Sequence, residues 1–205
     1  MLHFEDAILN VSLLWALTVP HEFAHAWAAD RRGDDTPRRD GRLTLNPLAH
    51  VDWIGTVLLP AVTSLFGGGF LGWGRAVRTS PWKLRGGANG LALVALAGPA
   101  SNIVFALVLG GGAALTAGAA PRVSELAAHA LWLSVFLAIF NLLPVPPLDG
   151  SKLLLAARLP ARAYEELARF GFLLILVAMT STGLGRWMSN ASFSVARGIL
   201  GLFLA

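Results

Sequence analysis

The sequence predicts an all-α polytopic membrane protein, with about four to five transmembrane helices, a re-entrant or interfacial segment and short strands on the cytoplasmic side. Three observations carry this. Of the 205 residues, 55% are hydrophobic and 14% charged, and the mean hydropathy is +0.62, more apolar sequence than a soluble core of this size can use. Several uncharged runs are long enough to cross a hydrocarbon core of about 30 Å. The basic residues fall in short clusters between those runs, so the net charge of +4 reads as membrane topology in a lipid bilayer, not as a nucleic-acid footprint. The chain has no cysteine, which excludes a disulfide framework, thiolate ligands and a cysteine nucleophile.

Residues 7–29 form the first apolar segment. It carries the histidine motif described below, so it is retained rather than cleaved as a leader. Pro20 removes a backbone donor and loosens this helix just before His21. Residues 30–42 are a polar loop with Arg31, Arg32, Arg38, Arg39 and Arg42, placed in the cytoplasm by the positive-inside tendency. Residues 42–46 alternate polar and apolar, a short strand signal. The uncharged run 53–74 contains Pro60 and three glycines at 67–69, and is followed by a second basic cluster, Arg75, Arg78, Lys83 and Arg85. With basic clusters on both sides, this run enters and leaves the membrane on the same face, as a re-entrant or interfacial segment covered by protein.

Residues 90–117 cross next, with Gly98, Ala100 and Ser101 permitting close helix approach. The loop 121–125 lies outside and residues 126–143 cross back. Pro144, Pro146 and Pro147 then break the helix near membrane depth. A third basic stretch, 152–169, is again cytoplasmic; residues 170–185 make a further crossing, and 187–205 either lie on the outer surface or return. No internal repeat and no linker interrupts the chain, so residues 1–205 read as one membrane-embedded domain.

The chemistry-bearing stretch is His21-Glu22-Phe23-Ala24-His25. On a helix, positions i and i+4 lie about 40° apart around the axis and roughly 6 Å along it, so both imidazoles can hold one metal ion from one face. Two neutral imidazoles leave Zn²⁺ Lewis acidic, and a carboxylate at Glu22 stands beside its water. Histidines and a glutamate in an apolar helix are costly unless they bind something. The third ligand has several candidates. Asp149 arrives at the cytoplasmic end of its helix, the level at which His25 lies six residues before Arg31. His50, Asp30 and Asp52 compete, His50 most strongly because imidazole is the better zinc ligand. His3 and His129 have no partner at ligand spacing.

Taken together, His21 to His25, Gly98-Pro99-Ala100-Ser101-Asn102 and the run from Asn141 to Asp149-Gly150 resemble the site-2 protease family of zinc intramembrane metalloproteases. Residues 43–56 and 72–77 are similar to its small prokaryotic members without a PDZ domain. The resemblance implies that His21, His25 and Asp149 hold one Zn²⁺ per chain, that Glu22 is the general base, that Asn141 steadies the oxyanion, and that Asn102 lies beside the core-helix packing. It further implies an endopeptidase that cuts a membrane-protein substrate in or near a transmembrane segment (regulated intramembrane proteolysis), in the cytoplasmic membrane of a prokaryote with its active site towards the cytoplasm. The competing reading is a metal-binding transporter or scaffold without hydrolysis, and Glu22 separates the two: only hydrolysis requires a carboxylate beside the first histidine.

Overall fold

The computed structural model describes residues 4–65 and 72–204. Eight α-helices run in the order α1 (Phe4–Arg31), α2 (Thr36–Arg39), α3 (Leu59–Leu65), α4 (Gly87–Thr116), α5 (Pro121–Asn141), α6 (Ser151–Ala156), α7 (Ala161–Ser181) and α8 (Leu184–Leu204), with a 3₁₀ turn Pro47–His50 and a π-type turn Trp53–Leu58 before α3. No strand forms among the described residues.

The three helices α1, α4 and α5 are each long and apolar enough to span a membrane, and the total is four if the bent pair α7 and α8 is a single span. Among the described residues the count is three or four against the four to five expected, because α7 and α8 qualify together and are bent by 76° at their junction. Their core is sorted by depth. Leu14 and Leu17 of α1 pack against Leu133 and Leu137 of α5; Ala106 of α4, Leu131 and Val135 of α5, and Ala196 and Ile199 of α8 form a second layer. Small residues admit these contacts: a Cβ at Gly110 would stand 2.7 Å from Ile199 Cγ2. In hydrocarbon such close approach substitutes dispersion contacts for the missing hydrophobic drive.

The polar side of the bundle is pinned by charges from the basic clusters. Arg38 pairs with Asp30 (2.6 Å), Arg78 with Asp40 (2.9 Å) and Lys83 with Asp35 (2.7 Å), and the Lys83 ammonium holds the Asp35 carboxyl below its ordinary pKa. Asp34 is fully buried and accepts from Thr36 N (3.0 Å) and Ser80 N (2.5 Å). The loop after α1 is thereby tied to the segment that leads into α4, and Arg85 N donates to Arg32 O (2.9 Å).

The strand expected at residues 42–46 is replaced by a side-chain-stitched turn. The Arg42 guanidinium is buried and donates to the carbonyls of Ala49 and Arg75, Thr44 O accepts from His50 Nε2 (2.8 Å), and Asn46 Oδ1 caps the 3₁₀ turn at Leu48 N (3.1 Å). Backbone groups that a ladder would use are taken by side chains. Residues 72–79 are extended without a ladder: Trp73 N donates to Gly55 O (2.9 Å) and Arg75 N to His50 O (3.0 Å).

The described part of the run 53–74, expected to be re-entrant or interfacial, and the 3₁₀ turn before it pack against α1. Trp15 Nε1 donates to Pro47 O (3.2 Å), and Trp15 is sixteen residues before Arg31, about 24 Å along α1. A Cβ at Gly72 would meet Leu14 Cδ2 at 2.6 Å. The glycines at 67–69 lie outside the described residues, as does His3.

Candidate metal centre

Four elements converge on one cavity of about 150 Å³. Helix α1 supplies His21, Glu22 and His25; α4 supplies Val94, Ala95 and Asn102; the end of α5 and the turn after it supply Asn141 and Asp149; and the extended segment 72–79 lines it with Trp73 and Val77.

His21 Nε2, His25 Nε2 and Asp149 Oδ2 form a triangle with sides of 3.0 Å between the histidines, 3.1 Å from His21 to Asp149 and 3.0 Å from His25 to Asp149. All three residues are buried. A tetrahedral Zn²⁺ with bonds of about 2.0–2.1 Å separates its ligand atoms by roughly 3.3 Å, close to this triangle. His25 Nδ1 lies 2.8 Å from the Val94 carbonyl, which can only accept, so Nδ1 carries a proton; in a neutral ring Nε2 then turns a lone pair towards the Asp149 carboxylate, and a cation between the three atoms would turn that repulsion into ligation.

Close packing keeps the space clear. A Cβ at Gly98 would fall on His25 Nε2 and within 2.7 Å of His21 Cε1, so only glycine lets α4 approach the two rings. The turn after α5 is equally constrained: Gly150 N donates to Asn141 O (2.7 Å), and a Cβ at Gly150 would strike Leu142 O. Ser151 Oγ closes it onto Leu148 O (2.6 Å) and meets Tyr164 Oη at 3.1 Å. This turn, forced by the proline-rich run, returns the chain into the bundle and delivers Asp149 to the histidines.

Glu22 is buried beside the triangle, and its Oε2 accepts from Val77 N (3.1 Å). Asn141 lines the same cavity with one of its two Nδ2 hydrogens on Leu137 O (3.0 Å). The competing ligands are elsewhere. His50 donates to Thr44 O, and burial pushes its imidazole below its ordinary pKa; Asp30 is paired with Arg38; Asp52 caps the π-type turn at Ile54 N (3.1 Å) and Gly55 N (2.8 Å). His129 stands 3.3 Å from Asn10.

Sequence reasoning missed three contributors. Lys152 Nζ donates to Asp149 Oδ1 (2.8 Å), holding one carboxylate oxygen so that the other faces the histidines; its i+3 spacing from Asp149 was the available signal. The Val94 carbonyl and the Val77 N–H are backbone groups and leave no mark on residue type.

The family model described as Peptidase family M50 matches residues 116–179. YwhC of Bacillus subtilis (strain 168), provisionally named a zinc metalloprotease, is 35% identical over 208 residues, covering 96% of this chain and 91% of its own length. Rip2 of Mycolicibacterium smegmatis, named in the same way, is 36% identical across 82% of this chain, and Rip2 of Mycobacterium tuberculosis (strain H37Rv) is 34% identical across 82%. The chain spans 64% of the length of either Rip2. No solved structure matches. With helices fit to span a membrane and a relative aligned over nearly its whole length, the chain belongs to peptidase family M50, the site-2 protease family of membrane-embedded zinc metalloproteases.

Proposed function

We propose that His21, His25 and Asp149 hold one Zn²⁺, that Glu22 is the general base of the His-Glu-x-x-His motif, and that residues 1–205 act as one catalytic domain cutting a membrane-protein substrate in or beside a transmembrane segment. The observation that carries this is the triangle of three lone-pair atoms 3.0–3.1 Å apart with a buried carboxylate alongside.

Zinc held there supplies a Lewis acid that acidifies water and polarises a carbonyl. Glu22 takes the proton of the attacking water and returns it to the departing amine, and the Val77 N–H on Oε2 holds the carboxylate in place during both transfers. Lys152 keeps Asp149 oriented and offsets part of its charge. Asn141 retains one N–H directed to developing negative charge on the substrate carbonyl. The burial of this set excludes bulk water, which strengthens each of these interactions.

The reacting site lies near the cytoplasmic face of a prokaryotic inner membrane in this reading. The basic clusters support it: Arg38, Arg78 and Lys83 pair with the loop after α1, Lys152 pairs with Asp149, and short basic clusters favour the cytoplasmic side.

Glu22→Gln separates hydrolysis from metal binding. The variant in detergent is expected to retain zinc at the wild-type ratio, while cleavage of single-span membrane proteins that the wild type cuts in liposomes falls by about 10²–10⁴-fold or more. Cleavage near the wild-type rate by Glu22→Gln would remove Glu22 from the chemistry.

A further inference from the structure

Metal-ligating histidines usually donate their second ring nitrogen to a fixed acceptor, which sets the tautomer and the ring orientation. In this protein the two histidines differ. His25 Nδ1 has the Val94 carbonyl at 2.8 Å, whereas His21 Nδ1 is buried with no hydrogen-bond partner.

A second buried group in the same cavity is also unpaired. Asn102 is 1% exposed, and both Oδ1 and Nδ2 of its carboxamide are without partners. It lines the cavity together with His21. Its position is well determined, since Ser134 Oγ donates to its backbone carbonyl (2.8 Å). Asn102 lies one helical turn, about 6 Å, beyond Gly98 on α4, and Gly98 is the residue packed on His21 Cε1. Leaving a carboxamide and an imidazole N–H unsatisfied inside a membrane bundle costs roughly 1–3 kcal/mol for each group, and the two are complementary: one offers an acceptor and the other a donor.

We infer that Asn102 is the positioning residue for His21: its Oδ1 accepts the His21 Nδ1 proton, directly or through a single water, when the metal centre is assembled. The carboxamide thereby does for His21 what the Val94 carbonyl does for His25, and directs Nε2 of both rings to the same point. The inference rests on the zinc reading of His21, His25 and Asp149.

The test is zinc affinity of the full chain in detergent, measured by competition with a chromophoric chelator, for wild type, Asn102→Leu, Asn102→Asp and His21→Ala. Melting of each metal-free protein is followed in parallel. Asn102→Leu keeps the volume and loses the acceptor, so zinc binding is expected to weaken about 10–100-fold with unchanged or higher metal-free stability. Asn102→Asp keeps an acceptor oxygen and is expected to bind within a few-fold of wild type. Affinity of Asn102→Leu within twofold of wild type overturns the inference, and so does equal weakening in the Leu and Asp variants accompanied by lower metal-free stability, which marks a packing role. If wild type binds zinc and His21→Ala loses it while Asn102→Leu does not, only the role of Asn102 fails; zinc binding unaffected by His21→Ala overturns the metal-site reading and this inference together.

Discussion

At the scale of single residues, the centre depends as much on an atom that is missing as on the ligands. Gly98 brings α4 to the faces of His21 and His25, and any Cβ there displaces the rings. Gly98→Ala is therefore expected to weaken zinc binding by at least about tenfold, the scale on which misoriented ligands lose affinity. The helix itself should tolerate the change, since alanine favours helix over glycine by up to about 1 kcal/mol. Metal content after dialysis against a weak chelator, read beside helical content, checks both halves; a fully loaded Gly98→Ala protein would contradict the close approach. The convergence of these three side chains was legible only in part: His21 and His25 stood out by their helical spacing in an apolar helix, and Asp149 was one of several candidates beside them, favoured by a carboxylate at a proline-forced turn. His50 could not be set aside from sequence, since nothing local reveals that its ring bonds the Thr44 carbonyl. Lys152, Val94 and Val77 act through contacts between distant or backbone atoms, which residue type does not encode.

At the scale of elements, the two stretches flanking the re-entrant run are joined by one side chain. Arg42 donates to the carbonyls of Ala49 and Arg75, so it fixes the 3₁₀ turn to the extended segment whose Val77 N–H holds Glu22. Arg42→Met fills much of the same volume and leaves two carbonyls without donors, at about 1–3 kcal/mol each. The expected result is a lower melting temperature and slower cleavage with zinc content unchanged, because no metal ligand touches this junction. Loss of zinc along with activity would show that the junction supports the ligand helix instead. The alternation at residues 42–46 was a false sign of pairing: period-two patterning records which side chains face inwards, and here side chains take the backbone groups instead, His50 the Thr44 carbonyl and Thr44 Oγ1 the Asn46 N–H. The short apolar helix within 53–74 is consistent with the re-entrant or interfacial segment expected from the two flanking basic clusters, which disfavour a net crossing.

At the scale of the whole molecule, the three long helices were readable from hydropathy, and a break near 185–187 was expected, whereas its angle was not, because the run Ser181-Thr182-Gly183 marks a turn without fixing how sharply the chain bends. The packing orders α8 along the membrane normal. Its first half packs through Met188 with Phe136 and Phe140 in the part of α5 nearer Asn141, and its second half reaches Gly110 and Gly111 of α4 through Ile199 and Phe203. Helix α4 begins beside the basic loop at Arg32 and Arg85 and runs away from it, so α8 runs away from it too. The bent pair is then one broken span that ends on the side of the α4–α5 turn. A chain without cysteine permits a direct test by single-cysteine labelling with a membrane-impermeant maleimide. Arg39→Cys is expected to label only after the cytoplasmic side is opened, whereas Gly118→Cys in the α4–α5 turn and Gly201→Cys near the end of α8 label from outside in intact cells. Each of the two glycine positions has open space around an added Cβ, so the probes do not disturb the fold. Labelling of Gly201→Cys together with Arg39→Cys would mean that α7 crosses fully and α8 returns, giving five spans.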